Sequence, residues 1–160
     1  MTHSGTIGAR YYLETDASLN PGQQKVVDGA SLKRAGGGII LRSPAMKIVG
    51  IYTTPLGFLS SPTLAEALVL LRGLRVARQR HGIKVLRART DSSALVGLVT
   101  ERGSACDPAL RAVVEQIAAE RDQLDGFEIL WSRSSHAPER EVGIPTADAL
   151  ARRAAGLPQR

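Results

Sequence analysis

Between Arg10 and Thr54 three segments carry the signals of β-strands, and only from Pro62 does helical spacing appear. That order limits the fold more than any compositional property does. Arg10 to Ser18 predicts a first strand, with Tyr12, Glu14, Asp16 and Ser18 on one face and Tyr11, Leu13, Thr15 and Ala17 on the other. Asn20-Pro21-Gly22 predicts the turn that ends it. Gly36 to Arg42 predicts a second strand, whose three opening glycines imply backbone passing close to a neighbour. Ser43-Pro44 turns the chain into a third, Met46 to Thr54. Strands joined so tightly form an antiparallel meander. The polar stretch 23–35, with Lys25, Lys33 and Arg34, reads as an inserted, mobile basic loop.

The second half alternates helices with strands. Pro62 to His81 predicts the longest helix, with Ser61 to cap it, Pro62 in its first turn and Gly82 to end it. Leu64, Ala67, Leu68, Leu71 and Leu74 keep helical spacing, while Arg72, Arg75, Arg78 and Arg80 gather in the second half as a solvated face or a grip on a polyanion. Ile83 to Arg89 predicts a strand, Asp91 to Thr100 a short helix, and Asp107-Pro108 opens a helix running to about Arg121. Phe127 to Ser132 predicts a fifth strand, followed by a loop to Gly143 and a helix from about Pro145 to Ala155. The order βββαβααβα predicts an α/β layer fold with a mixed sheet. At 160 residues the expectation is one domain, 1–160, with flexible tails at 1–8 and 157–160.

Composition removes several functional classes. The single cysteine, Cys106, excludes an internal disulfide and a thiolate zinc site, and three histidines (His3, His81, His136) exclude a histidine-rich one. Any metal would be held by oxygen, which points to Mg²⁺, Mn²⁺ or Ca²⁺. Lys and Arg number 21 against 15 Asp and Glu, a charge of +6 that suits a polyanionic partner, nucleic acid first. Aromatic residues make up 4% of the chain, which argues against extended base stacking on aromatic platforms. Met1 to Arg10 shows no signal-peptide pattern, and no run approaches the roughly 18 apolar residues of a membrane span. A cytoplasmic monomer without a membrane partner is expected.

Four carboxylates stand in unusual places. Asp16 interrupts a strand of Tyr, Leu and Thr, where acids pack poorly; an edge-strand charge would also explain it. Glu66 lies at the margin of the apolar stripe of the first helix, where it could simply favour the helix dipole. Asp91 closes a strand and opens a helix, a place for an N-cap and equally for a ligand site. Asp148 sits early in the last helix, again compatible with the dipole alone.

Their order carries more than their identities. Asp16 with Ser18 two places on, Glu66 in the first long helix, Thr90-Asp91-Ser92 after the fourth strand, Trp131 and His136 spaced Trp-x-x-x-x-His, and Ala147-Asp148 before Leu150-Ala151-Arg152 follow one another. This arrangement, from about Arg10 to Ala155, resembles type 1 ribonuclease H. The resemblance implies the ribonuclease H-like fold: α/β, a five-stranded mixed sheet in the order 3-2-1-4-5, with helices on both faces. It implies that Asp16, Glu66, Asp91 and Asp148 hold two Mg²⁺ or Mn²⁺ ions and that His136 assists proton movement or product departure. Trp131 would pack in the core. The implied activity is endonucleolytic hydrolysis of the RNA strand of an RNA–DNA hybrid. Converging carboxylates repel one another, and a divalent cation pair relieves that repulsion while serving hydrolysis.

Departures from the family pattern fall on substrate contacts. Ala17 replaces a common glycine, Pro62-Thr63 a common Asn-Asn, Ser93 a common Gln, and Ile144 a common Asn. Ser18, Asn20, Thr63, Ser93, Lys25, Lys33 and Arg34 remain the candidate substrate-binding residues. Because RNA is told from DNA through its 2′-hydroxyls, these changes keep two alternatives in view. One is another metal-dependent nuclease on the same fold, an exonuclease or DNA junction resolvase; the other is a non-catalytic nucleic-acid-binding module.

Overall fold

The computed structural model of the chain describes residues 8–100, 107–133 and 145–159. Five strands, β1 (Arg10–Val27), β2 (Ala30–Arg42), β3 (Ile48–Leu59), β4 (Val85–Thr90) and β5 (Gly126–Trp131), form one sheet in the order 3-2-1-4-5. β1, β2 and β3 are an antiparallel meander, and β4 and β5 add parallel to β1. The helices are α1 (Pro62–Arg75), α2 (Ser93–Thr100), α3 (Pro108–Arg121) and α4 (Ala147–Ala154). α1 runs into a π-helical turn, Val76–Arg80, which stops at Gly82 with φ +62°. The implied ribonuclease H fold is therefore the observed one.

The glycine triplet decides how the layers close. Gly36 and Gly38 point to one face of β2 and Gly37 to the other, as alternation requires. A Cβ on Gly36 would lie 2.6 Å from the Ala151 carbonyl oxygen, and one on Gly38 would lie 2.7 Å from Leu150 Cβ, both in α4. A Cβ on Gly37 would lie 2.5 Å from Val69 Cγ2 of α1. The absent side chains thus let α4 rest on one face of the sheet and α1 on the opposite one. Behind α1 lies the larger core, with Leu13, Ile39, Leu41, Leu70, Leu86 and Ile117; under α4, Ile40 packs with Ala147 and Leu150. β2 has apolar neighbours on both faces, so residues 35–41 are buried without interruption.

Residues 23–35 are a β-ribbon, which corrects the expected basic loop. β1 continues to Val27, and β2 starts at Ala30 after a two-residue turn, Asp28-Gly29, with φ 51° and 79°. Asp-Gly with both φ positive is the hairpin turn that matches strand twist. Asn20-Pro21-Gly22 is a bulge inside the strand, where the register shifts between Asn20 and Gln24, so proline's missing N–H breaks no ladder. β3 likewise runs past Pro55 because it is an edge strand. The arginines after Leu71 are engaged within the fold. Arg75 and Arg78 pair with Glu120 of α3 at 3.3 and 2.8 Å, Arg72 donates to Thr54 at 2.8 Å, and Arg80 lies 5.7 Å from the Tyr52 ring centre.

Gly38→Ala should therefore lower stability by about 2 kcal/mol, within the usual range for overpacking. Gly97→Ala, in α2 with nothing within 4 Å of its added Cβ, should raise it by about 0.5–1 kcal/mol. Urea denaturation reads both; a Gly38→Ala protein as stable as its parent would show that α4 does not depend on the glycine strip.

Candidate active site

Parallel pairing sets two of the acids level. Glu14 of β1 pairs with Arg89 of β4; Asp16 lies two residues further along β1, and Asp91 two residues beyond Arg89, just past the end of β4. Asp16 also pairs with Gly38, whose open face is the one covered by α4. Glu66 enters from α1, where the Ser61 hydroxyl caps the helix by accepting from Leu64 N at 3.1 Å. One backbone group joins two of these elements. The Ala17 N–H donates to Asp16 Oδ1 at 2.9 Å and to Glu66 Oε1 at 3.1 Å. Carboxylate oxygens of Asp16, Glu66 and Asp91 lie within 4.8 Å of one another.

Asp16 and Glu66 are each only 7% exposed, whereas Asp91 faces solvent. Burial, then the charges of Asp91 and Asp148, pushes the Asp16 carboxyl up from 3.8 to about 7. Burial, then Asp16 and Asp91, pushes Glu66 up from 4.5 to about 10. Asp148, half-buried one residue inside α4, therefore acts on Asp16 electrostatically while standing outside the 4.8 Å group. Thr146, capping α4 through Ala149 N at 3.1 Å, sets that position.

The donor set suits a hard divalent cation. Every ligand atom in the trio is a carboxylate oxygen. Glu66 Oε2 is buried and finds no hydrogen-bond partner among the described residues. A buried acceptor left without a donor is costly, and a cation satisfies it while cancelling the repulsion.

Asp91 is not the cap of α2. Ser92 takes that role, its hydroxyl accepting from Leu95 N at 3.2 Å. The Asp91 main chain is pinned from the neighbouring strand: Trp131 Nε1 donates to its carbonyl at 3.1 Å, and Ser132 N donates to the Thr90 carbonyl at 2.9 Å. Trp131 is 50% exposed, so it braces this corner instead of filling the core as the resemblance implied.

The remaining candidates scatter. Ser18 is half-buried on the Asp16 face of β1, Thr63 is half-buried in the first turn of α1, and Ser93 is exposed at the start of α2. Asn20 is a strut, its amide nitrogen donating to the Ala155 carbonyl at 3.0 Å and its oxygen accepting from Gly22 N at 2.9 Å. Lys25 lies 4.5 Å from the Phe58 ring centre, Arg34 donates to Gln23 at 3.2 Å, and Lys33 pairs with Gln24 across the ribbon. His136, Ile144 and Cys106 fall outside the described residues. Two contributors escaped sequence reasoning. The Ala17 N–H carries no side-chain signal, and the Trp131 indole N–H was hidden by that residue's apolar bulk.

The reverse transcriptase-like family profile matches residues 26–154. The chain belongs to that family. The matched span contains Glu66, Asp91 and Asp148, while Asp16 precedes it. Among solved structures, ribonuclease H1 from the halophilic archaeon Halobacterium salinarum superposes with a TM-score of 0.75 at 22% identity, covering 92% of this chain and 98% of that one. The N-terminal ribonuclease H domain of Rv2228c from Mycobacterium tuberculosis gives 0.75 at 19% identity, with coverages of 93% and 95%. LC11 ribonuclease H1, isolated from compost by a metagenomic approach and solved in complex with an RNA/DNA hybrid, gives 0.72 at 16% identity, with coverages of 91% and 96%. No curated protein matches the sequence. These likenesses show that the chain has the ribonuclease H fold.

Buried acids with raised pKa values bind protons more tightly folded than unfolded. The metal-free protein should then lose stability as pH rises from about 4 toward 7, the interval over which Asp16 ionises in the unfolded but not the folded chain. Mn²⁺ should reverse this, raising Tm more at neutral than at acidic pH because binding displaces the protons. Asp16→Asn should weaken both trends, with Glu66 keeping part of the pH dependence; a Tm profile insensitive to pH and Mn²⁺ would count against the shared cation site. Trp131 is the only tryptophan in the chain. Its emission should therefore change on Mn²⁺ addition and stay constant in Asp91→Asn.

Proposed function

We propose that the protein is a divalent-metal-dependent endoribonuclease that hydrolyses the RNA strand of RNA–DNA hybrids. The observation that carries this reading is the meeting of Asp16, Glu66 and Asp91 from three separate elements, with a buried oxygen of Glu66 left unpartnered. The hybrid-bound LC11 neighbour supports the substrate class, and the charge of +6 suits a polyanion.

Asp16, Glu66 and Asp91 would hold the ions, two Mg²⁺ or Mn²⁺, with Asp148 adding negative charge from the α4 side. When bound, such a pair supplies Lewis acidity both toward an attacking water and toward the departing 3′ oxygen of a phosphodiester. The protein's own part is preorganisation. The Ala17 N–H fixes the orientation of two carboxylates, and Trp131 with Ser132 fixes the main chain that carries the third. Ser18 and Thr63 supply hydroxyls on the elements that carry Asp16 and Glu66, and Ser93 one two residues after Asp91, where the substrate strand would pass. His136 in this reading helps the proton leave with the product. The expected setting is cytoplasmic.

The hydroxyl-bearing Thr63 and Ser93, which replace amide side chains of the family pattern, favour one further reading: a relaxed choice among nucleic acids. Labelled hybrid, duplex RNA, duplex DNA and branched DNA, each incubated with Mg²⁺, Mn²⁺ or EDTA, separate the two. The hybrid should be cut internally in its RNA strand with either ion and not in EDTA, and Asp91→Asn should abolish cutting while keeping the fold. Cleavage that survives EDTA, or that persists in Asp91→Asn, would refute the assignment.

A further inference from the structure

We propose that the β-ribbon of residues 20–34 is a second nucleic-acid contact, gripping a duplex up to roughly 26 Å from the carboxylate site. It rests on the nuclease reading for the class of ligand alone. β1 passes through Asp16 and, after the bulge at 20–22, continues to Val27 at the ribbon tip. The bulge takes up part of that length: on the paired strand the same interval runs from Gly38 to Ala30, eight residues, which at about 3.3 Å each reach up to roughly 26 Å. Site and tip are thus two points on one strand, separated by roughly eight base pairs of a duplex at about 3.4 Å each.

The ribbon is bare on both sides. Pairing of β1 with β4 ends at Glu14, pairing of β3 with β2 begins only at Lys33, and residues 21–31 are all exposed. An isolated two-stranded ribbon is marginal in water, and open strand edges invite unwanted pairing. Yet this one is braced. Gln24 donates to the Pro21 carbonyl at 2.7 Å, the Ser31 hydroxyl donates to Gln24 at 2.9 Å, and Lys25 stacks on Phe58 at 4.5 Å. A held shape with free edges is what a groove-sized element requires.

Its chemistry selects a polyanion. Within residues 20–34, Lys25, Lys33 and Arg34 face a single acid, Asp28. At the tip, Val26 is 75% and Val27 47% exposed, and such aliphatic side chains fit against sugars and base edges in a groove.

The test reads binding, so it does not depend on cleavage. Fluorescence anisotropy in EDTA follows labelled hybrids from well below one turn to two turns in length. Two ribbon variants are compared with the parent: residues 23–33 replaced by an Asn-Gly turn, and full-length Lys25→Glu/Val26→Ser/Val27→Ser/Lys33→Glu. The second keeps the Asp28-Gly29 turn and guards against a folding failure of the first, which circular dichroism reports. The parent should bind about tenfold more tightly once the hybrid exceeds roughly eight base pairs, and both variants should lose that step. The slope of log K against log salt should shrink by roughly 2 in the charge-altered protein. A length step retained in a folded variant overturns the proposal, as does absence of any step in the parent. So does conversion of a dimer to a monomer in sedimentation, which would make the ribbon a self-association element. If the parent shows the step but cuts no hybrid in Mg²⁺ or Mn²⁺, the nuclease reading fails while the ribbon contact stands.

Discussion

Two carboxylates buried side by side are a debt that a protein of this size does not incur for stability. Asp16 and Glu66 are nearly sealed from water, share one backbone N–H, and face the charges of Asp91 and Asp148. Each of these terms except the N–H raises the free energy of the ionised state. The protonated state avoids that cost but offers poor ligands. Only a cation keeps the acids ionised and also occupies the unpartnered Glu66 oxygen. The surrounding structure is then intelligible as a device for holding that arrangement against its own repulsion.

The device is built from backbone more than from side chains. Parallel pairing of β1 and β4 brings Asp16 and Asp91 to one level, and the glycine strip of β2 lowers α4 until Asp148 acts on Asp16. Asn20 ties the end of α4 back to β1 by accepting Gly22 N and donating to Ala155. Ser61, Ser92 and Thr146 cap the three helices that begin around the site, so each acid is free of capping duty. Rigid elements with independent caps hold ligand atoms more reproducibly than a loop would.

Much of this was legible in the sequence because the relevant signals are local or strictly ordered. Strand and helix periods, Pro62 and Pro108 at helix starts, and Gly82 at a helix end each report on a few neighbouring residues. The Gly36–Gly38 triplet even foretold close packing, though it could not say which helix would arrive. What was not legible is long-range. Asn20-Pro21-Gly22 has turn chemistry, and only its pairing partner Arg34 reveals a bulge within a longer strand. The α1 arginines looked available for a ligand, because nothing in their own helix announces Glu120 on α3. Trp131 looked like core, because its hydrogen bond goes to a main-chain atom forty residues earlier.

The departures from the family pattern then acquire a physical sense. The acids that would hold metal are all present, while side chains expected to touch the substrate strand are changed at Pro62-Thr63, Ser93 and Ile144. Metal ligation is sensitive to substitution, since removing one carboxylate from a close trio changes the charge and the donors offered to the ion. Strand recognition is distributed over many weak contacts, so loss near the cut can be offset by gain elsewhere. The extended hairpin is placed for such an offset, because it grows from the strand that carries Asp16 and adds three cations against one acid. Chemistry confined to a few buried atoms and recognition spread along a solvent-facing ribbon can diverge independently.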